Sequence, residues 1–471
     1  MVFNSLAFIV FFAIVLFLHS LPFSWRVKKI NLLVASYIFY AAWNPPFVIL
    51  LWLSTVVDWF AARGLAEADV QWKRRAWMLL SVVVSLGLLT YFKYGHFLLE
   101  NFTQLAAMAG FHYSAPKSSI ALPIGISFYT FATMSYTLDI YLRRATPTHS
   151  FLDYALFVTF FPHLVAGPIM RPTELVPQFE VPHKATGNQL RFGLALMTLG
   201  LFEKCVLADG FLGPVVDKVF SGRAAPGFID AWMGTLAFSG QIFCDFAGYS
   251  ITAIGCALCL GFALSDNFRF PYASIGFTDF WRRWHITLSA WLRDYVYIPL
   301  GGNRHGNART YLSLMATMLI GGLWHGASWT FVVWGGLHGL FLAVERLLRK
   351  SFRGYEPGFL AKLGLGLLTF VLVNVAWVFF RAKTFVQAMI ILRGMFGANT
   401  HAAPTLAAIY LITTVLIIGG LLLAHSFMRN QTLEHAIGRA NPATLTALWT
   451  LMAFAVIIQH GESNGFIYFQ F

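Results

Sequence analysis

Apolar runs separated by short polar breaks repeat along the whole chain, and a helix needs about 20 such residues to cross a bilayer. Runs at 3–21, 31–42, 47–62, 77–91, 122–141, 154–170, 190–207, 231–262, 311–347, 360–380, 407–425 and 443–460 are the candidate spans. The stretch 31–62 is too long for one ordinary span. Asn44-Pro45-Pro46 interrupts it, and proline has no amide hydrogen to give a helix, so a hairpin of two short helices is expected. Arg26, Lys28 and Lys29 flank one end, and Arg63, Lys73, Arg74 and Arg75 the other. Both ends therefore belong on the cytoplasmic side, with the N-terminus outside. The first run lacks a basic leader and a small-residue cleavage site, which points to a retained span rather than a removed signal.

Residues 266–309 depart from this pattern (DNFRFPYASIGFTDFWRRWHITLSAWLRDYVYIPLGGNRHGNAR). Helical spacing over 278–295 puts Trp281, Trp284, Leu288, Trp291 and Leu292 on one face, with Arg282, Arg283 and Arg293 polar. This predicts an interfacial or partly re-entrant helix. Irregular backbone at membrane depth is tolerated where protein or a wet cavity covers it, a setting suited to a reaction site. The segment's arginines place it on the cytoplasmic side. The expected fold is an all-α, polytopic membrane protein with about 11–12 transmembrane helices plus re-entrant elements. No repeat, linker or soluble segment divides the chain, so residues 1–471 are expected to form one domain.

Composition sharpens this picture. Of 471 residues, 58% are hydrophobic and 11% charged, against roughly 25% charged in soluble domains. The formal charge of +13 fits positive loops held inside better than an anionic substrate, because the basic residues fall between apolar runs. No solvated basic surface suited to nucleic acid is present. Cys205, Cys244, Cys256 and Cys259 all lie in or beside apolar runs. The CxxC pair has no second pair of ligands near it, so no metal site and no disulfide framework is expected.

Histidines in apolar surroundings are the candidate chemistry. His325, in GGLWHG at 321–326, sits where an ionisable group is expensive and is by default a functional hypothesis. Imidazole can take and return a proton near neutral pH. Gly321, Gly322 and Gly326 clear space for a substrate or for a close helix. His285 stands four residues before Ser289, so the two would share a helix face as a hydrogen-bonded pair or as nucleophile and base. His338 would point about 140° away from His325 on one continuous helix, unless Gly335 and Gly336 allow a kink. His163 lies between Pro162 and Pro168, where a turn or cavity lining is plausible. Asp245, in QIFCDFAGY with Gln241 and Tyr249, needs a partner, and an arginine from 269–293 would serve. Nucleotide-binding, HExxH and GxSxG motifs are absent. Acid–base group transfer or a proton-coupled transporter remains.

Several strings together carry a family resemblance: NLLVASYIFY at 31–40, YFKY at 91–94, LPIGISFYTF at 122–131, FPHLVAGPI at 161–169, DFAGY at 245–249, FWRRWHITLSAWLRDYVYIPLGGN at 280–303, GGLWHG at 321–326 and FIYFQF at 466–471. The chain resembles the membrane-bound O-acyltransferases, in the bacterial branch that serves alginate O-acetylation. The resemblance implies a ring of helices around a thin core in the inner membrane. It implies passage of acetyl groups from a cytoplasmic donor, acetyl-CoA, to an extracytoplasmic acceptor, with no permanently bound cofactor. His325 matches the family's essential histidine and His285 a second one. Trp324, Asp245, Arg282, Ser289 and His163 are the expected substrate-binding residues. A periplasmic acetyltransferase, polysaccharide synthesis and export proteins, and membrane lipid are the expected partners. Ala247 stands where the alginate branch carries serine, so the polymer stays open: alginate first, then acetylated cellulose, with peptidoglycan O-acetylation or D-alanyl transfer to teichoic acid as alternatives.

Overall fold

A computed structural model describes residues 1–471 except 112, 114–120, 223, 353, 355–356, 460–465 and 468–471. His460, at the end of the last candidate span, and the final four residues of the FIYFQF string lie outside the described residues. The fold is all-helical, with 76% helix and no strand among the described residues. The backbone forms two compact units: Met1–Leu194 with Ala253–Ser265, and Ala195–Thr252 with Asp266–Phe471.

In the first unit, α1 (Leu6–Ser20) and α2 (Trp25–Ala41) precede the Asn-Pro-Pro break, and α3 (Val48–Glu67) follows it, as a proline-split hairpin requires. Ser5 caps α1 by accepting from the Phe8 amide at 3.2 Å. Next comes α4 (Gln71–Leu89), which runs on through a π turn at Thr90–Tyr94 into α5 (Gly95–Met108). The expected span 77–91 is thus only part of a 38-residue helix; polar residues between 93 and 104 hide its continuation from an apolarity count. After α6 (Ile126–Tyr141), almost wholly buried, the expected span 154–170 resolves into two short pieces, α7 (Phe151–Thr159) and α8 (Phe161–Leu164). Pro162 follows directly on the break. The unit also holds α9 (Pro172–Glu180) and the start of α10 (Gly187–Leu201).

In the second unit, α10 passes into a π segment, Phe202–Leu212, and then α11 (Gly213–Phe220). The 32-residue α12 (Phe228–Cys259) follows. The segment 266–309 holds α13 (Phe277–Trp281) and α14 (Ile286–Leu292), not one helix over 278–295. The chain breaks at His285, whose φ of 42° lies in the left-handed region. The next apolar run is a hairpin of α15 (Gly306–His325) and α16 (Trp329–Ser351), reversing at 326–328 rather than kinking at Gly335-Gly336. The chain then forms α17 (Phe359–Arg381), α18 (Phe385–Met395), α19 (Ala408–Met428), α20 (Leu433–Arg439) and α21 (Pro442–Ile458). Among the described residues, six helices are long and apolar enough to span a membrane, and three further apolar helices are shorter. The protein is a multi-pass membrane protein.

Candidate functional site

The left-handed turn at His285 is built by Asn267. The Asn267 carbonyl accepts from the Ile286 amide at 2.9 Å, and the Arg269 amide donates to the Arg283 carbonyl at 2.9 Å. These two bonds lay residues 267–269 alongside 283–286. The Asn267 side chain is fixed at both ends: its amide donates to Ser250 Oγ at 3.1 Å, and its Oδ1 accepts from Thr287 Oγ1 at 2.9 Å. His285 Nδ1 stands 3.0 Å from that same Oδ1. An amide oxygen only accepts, so Nδ1 carries the proton and Nε2 carries the lone pair. A non-glycine residue at positive φ is uncommon and costs of order 1 kcal/mol; here the surrounding bonds over-determine it.

His325 ends α15 and is 2% exposed. Its ring packs edge-on against Trp324 and Trp334, both at 5.0 Å between centroids, and against Phe380 at 5.3 Å. The His285 ring lies 6.3 Å from that of His325 and 5.8 Å from Trp324. The two histidines expected to act thus meet, with Trp324 between them. His338 contacts the Trp334 ring too, at 4.8 Å, within a box of Phe280, Trp281 and Trp377. The hairpin, not a kink, brings it to the same tryptophan as His325. Of the two purposes open for the GGLWHG glycines, close helix approach is the one seen at Gly322. A Cβ there would lie 2.3 Å from the Phe331 carbonyl oxygen and 3.1 Å from Gly335 Cα.

Beside this aromatic wall opens a cavity of about 620 Å³, lined by Asp209, Gln241, Asp245, Ser328, Phe380 and Arg381, among others. Asp245 does not pair with an arginine of 269–293. Its buried partner is Lys204, which also binds Asp209 at 2.9 Å. The second Asp245 oxygen accepts from the Ile467 amide at 3.0 Å. Asp209 Oδ2 and Gln241 Oε1 have no hydrogen-bond partner among the described residues.

The remaining expected residues lie elsewhere. Ser289 does not pair with the His285 side chain, because the helix break separates them; its hydroxyl donates to the Trp284 carbonyl at 3.3 Å. Arg282 is exposed at the end of α13. His163 belongs to the first unit, where its Nε2 bonds the Phe157 carbonyl at 2.9 Å across the α7–α8 break. Under the site, Glu345 of α16 accepts from the Phe277 and Thr278 amides at 2.5 and 3.0 Å, capping α13. Asp279 accepts from Arg283 and Arg429 at 2.8 and 2.6 Å. Although burial would raise its pKa, the Ile275 amide and these arginines hold it below the usual carboxylate range. Asn267, Lys204, Asp209 and Trp334 were not among the expected site residues. Glu203-Lys204 inside the apolar run 190–207 was the available signal for the ion cluster.

A buried histidine pair thus stands at a helix break, walled by tryptophans beside a polar cavity. Residues 141–386 match the family described as MBOAT, membrane-bound O-acyltransferase family, and the chain belongs to that family. Among its relatives is the protein named "Probable alginate O-acetylase AlgI" of Pseudomonas aeruginosa, 41% identical over 90% of this chain and 80% of the relative. The peptidoglycan O-acetyltransferase of Helicobacter pylori is 39% identical over 79% of this chain and 74% of its own length. The teichoic acid D-alanyltransferase of Streptococcus thermophilus is 29% identical over 48% of this chain and 58% of its own. The protein is an acyltransferase, which displaces the transporter reading.

Proposed function

We propose that the protein moves acetyl groups from acetyl-CoA on the cytoplasmic side across the inner membrane for O-acetylation of an exopolysaccharide. The observation that carries this reading is the meeting of His325 and His285 around Trp324, beside the polar cavity. Similarity to the alginate O-acetylase makes alginate the first polymer to test, with acetylated cellulose next. The peptidoglycan relative, at nearly the same identity, supports a cell-wall glycan as the second reading.

In the proposed cycle a hydroxyl group enters through the cavity, where Asp209 and Gln241 offer acceptor oxygens to hold it. This acceptor is a serine of a periplasmic acetyltransferase, which hands the group to polymer in concert with synthesis and export proteins. His325 takes the hydroxyl proton as the oxygen attacks the thioester carbonyl. The tetrahedral intermediate collapses, the C–S bond breaks, and the imidazolium returns its proton to the departing thiolate. His285, with its lone pair on Nε2, accepts a hydrogen bond that orients the hydroxyl or the charged His325. General-base assistance of this kind typically contributes about 10²–10⁴-fold.

The test is transfer of radiolabelled acetyl from acetyl-CoA in oriented proteoliposomes, with the periplasmic partner and polymer in the lumen. Wild type should label the lumenal acceptor. His325→Ala and His325→Gln should be inactive at near wild-type abundance, because neither side chain accepts a proton near neutral pH. An active His325→Gln protein would remove the general-base role, and labelling from a carrier-bound donor alone would replace acetyl-CoA.

A further inference from the structure

The first unit buries an acid whose facing groups are hydroxyls rather than cations. Asp58 lies near the middle of α3 and is 1% exposed. Ser81 and Ser85 of α4 and Thr133 of α6 face its carboxylate, and neither oxygen closes a hydrogen bond of acceptable geometry among the described residues. Ser81 and Ser85 are one helical turn apart, as are Thr133 and Thr137, so each pair shares a face. Tyr154 of α7 lies within electrostatic reach of Asp58.

Thr133 donates to the Thr130 carbonyl at 3.1 Å, but the other hydroxyls depart from the bonding seen elsewhere in the unit. In an apolar helix a serine or threonine hydroxyl donates to the carbonyl one turn back, as Thr55 does to Leu51 at 2.7 Å and Ser36 to Leu32 at 2.8 Å. The hydroxyls of Ser81, Ser85, Thr137 and Tyr154 are all buried and make no such bond. Burying a polar group without a partner costs about 1–3 kcal/mol, and more when the group is charged. Several such groups around one carboxylate therefore call for a shared partner.

We propose that Asp58 and the hydroxyls of Ser81, Ser85 and Thr133 form a binding site for a monovalent cation of the sodium class, buried among α3, α4 and α6. The donor set consists of oxygens, which hard cations prefer and soft metals do not. It carries one negative charge, which one monovalent ion neutralises; calcium sites recruit further carboxylates and carbonyls. Protonation of Asp58 is the competing solution. A neutral acid would donate to one hydroxyl and accept from others, and the dependence of stability on sodium separates the two solutions. A bound cation takes several oxygens at once and ties the three helices together, independently of the histidine chemistry in the second unit.

The experiment measures the unfolding midpoint of the full-length protein in detergent as sodium chloride replaces choline chloride at constant ionic strength. The midpoint should rise with the logarithm of sodium concentration, as for any ligand bound only by the folded state. Potassium should raise it less. Asp58→Asn should lose the sodium-dependent rise, and Ser85→Ala, which keeps the carboxylate in case the first variant fails to fold, should shift the response to higher sodium. A wild-type midpoint indifferent to sodium overturns the proposal. So does a sodium response that persists unchanged in Ser85→Ala and in any Asp58→Asn protein that folds.

Discussion

Asn267 is a residue whose importance lies in what it holds still. Its side chain bonds Ser250, Thr287 and His285 together, so it sets both the tautomer and the direction of the His285 ring. Asn267→Ala should leave the protein folded while the ring gains freedom. The expected result is a fall in acetyl transfer of about 10–100-fold, the usual scale for losing an orienting partner, with abundance and unfolding midpoint little changed. An equal loss of abundance would mean that Asn267 serves the fold instead. Lys204 makes the opposite case. Removing it in Lys204→Met strands Asp245 and Asp209, and breaking a buried pair by deleting one partner costs about 3–5 kcal/mol. The variant should express poorly, and adding Asp245→Leu should recover part of the lost stability. The sequence exposed His325 and His285 because imidazole in an apolar run is costly and their motifs are long. It did not expose Asn267 or Lys204: the first sits in a stretch without periodicity, and the second depends on which distant helix comes near.

Single helices were legible where apolarity alone decides them: the Asn-Pro-Pro hairpin and the spans around α17, α19 and α21 fall close to their expected limits. Segments whose geometry depends on packing were not. The run 278–295 keeps helical spacing but breaks at His285, because the Asn267 bonds outweigh the propensity of a few residues. The run 311–347 is continuous in hydropathy, yet it reverses where Gly326 and Ser328 end one helix and begin the next. The α15–α16 hairpin closes at Gly322 and Gly335. A Cβ on Gly335 would stand 2.3 Å from the Met318 carbonyl oxygen, and one on Gly322 equally near that of Phe331. Backbone cannot move aside as a flexible side chain can, so Gly322→Ala and Gly335→Ala should each part the two helices and lower protein abundance severalfold. Gly364→Ala, on α17 with nothing within 4 Å of the added methyl, should be neutral or mildly stabilising by helix propensity, worth about 1 kcal/mol at most. Equal abundance of all three variants would show that close approach at the hairpin contributes nothing.

Across the second unit, more positive charge gathers at one end of the helices than at the other, where Arg381 and Lys383 lie near Ser328. Arg282, Arg293 and Arg304 precede α15 and Arg309 lies in its first turn, Arg346, Arg349 and Lys350 end α16, Arg429 precedes α20 and Arg439 ends it. The loop at 326–328, by contrast, carries no charge. Positive loops stay inside, and on that ground we propose that residues 298–305 face the cytoplasm and the α15–α16 turn the other side. In that orientation His325 would stand at the extracytoplasmic end of its helix, and the cavity lined by Ser328 and Arg381 would open toward the acceptor rather than the donor. Cysteine labelling can decide this without redesigning the chain, because its own four cysteines are buried. Asn303→Cys, at an exposed position, should react with a membrane-impermeant maleimide only after the cytoplasmic side is opened. Ser328→Cys should react in intact spheroplasts, and an acceptor-side glycan or partner protein should slow it. Labelling of Asn303→Cys from outside, with Ser328→Cys protected until lysis, would invert the unit. The cavity would then face the donor, and the hydroxyl would have to reach His325 from the opposite side.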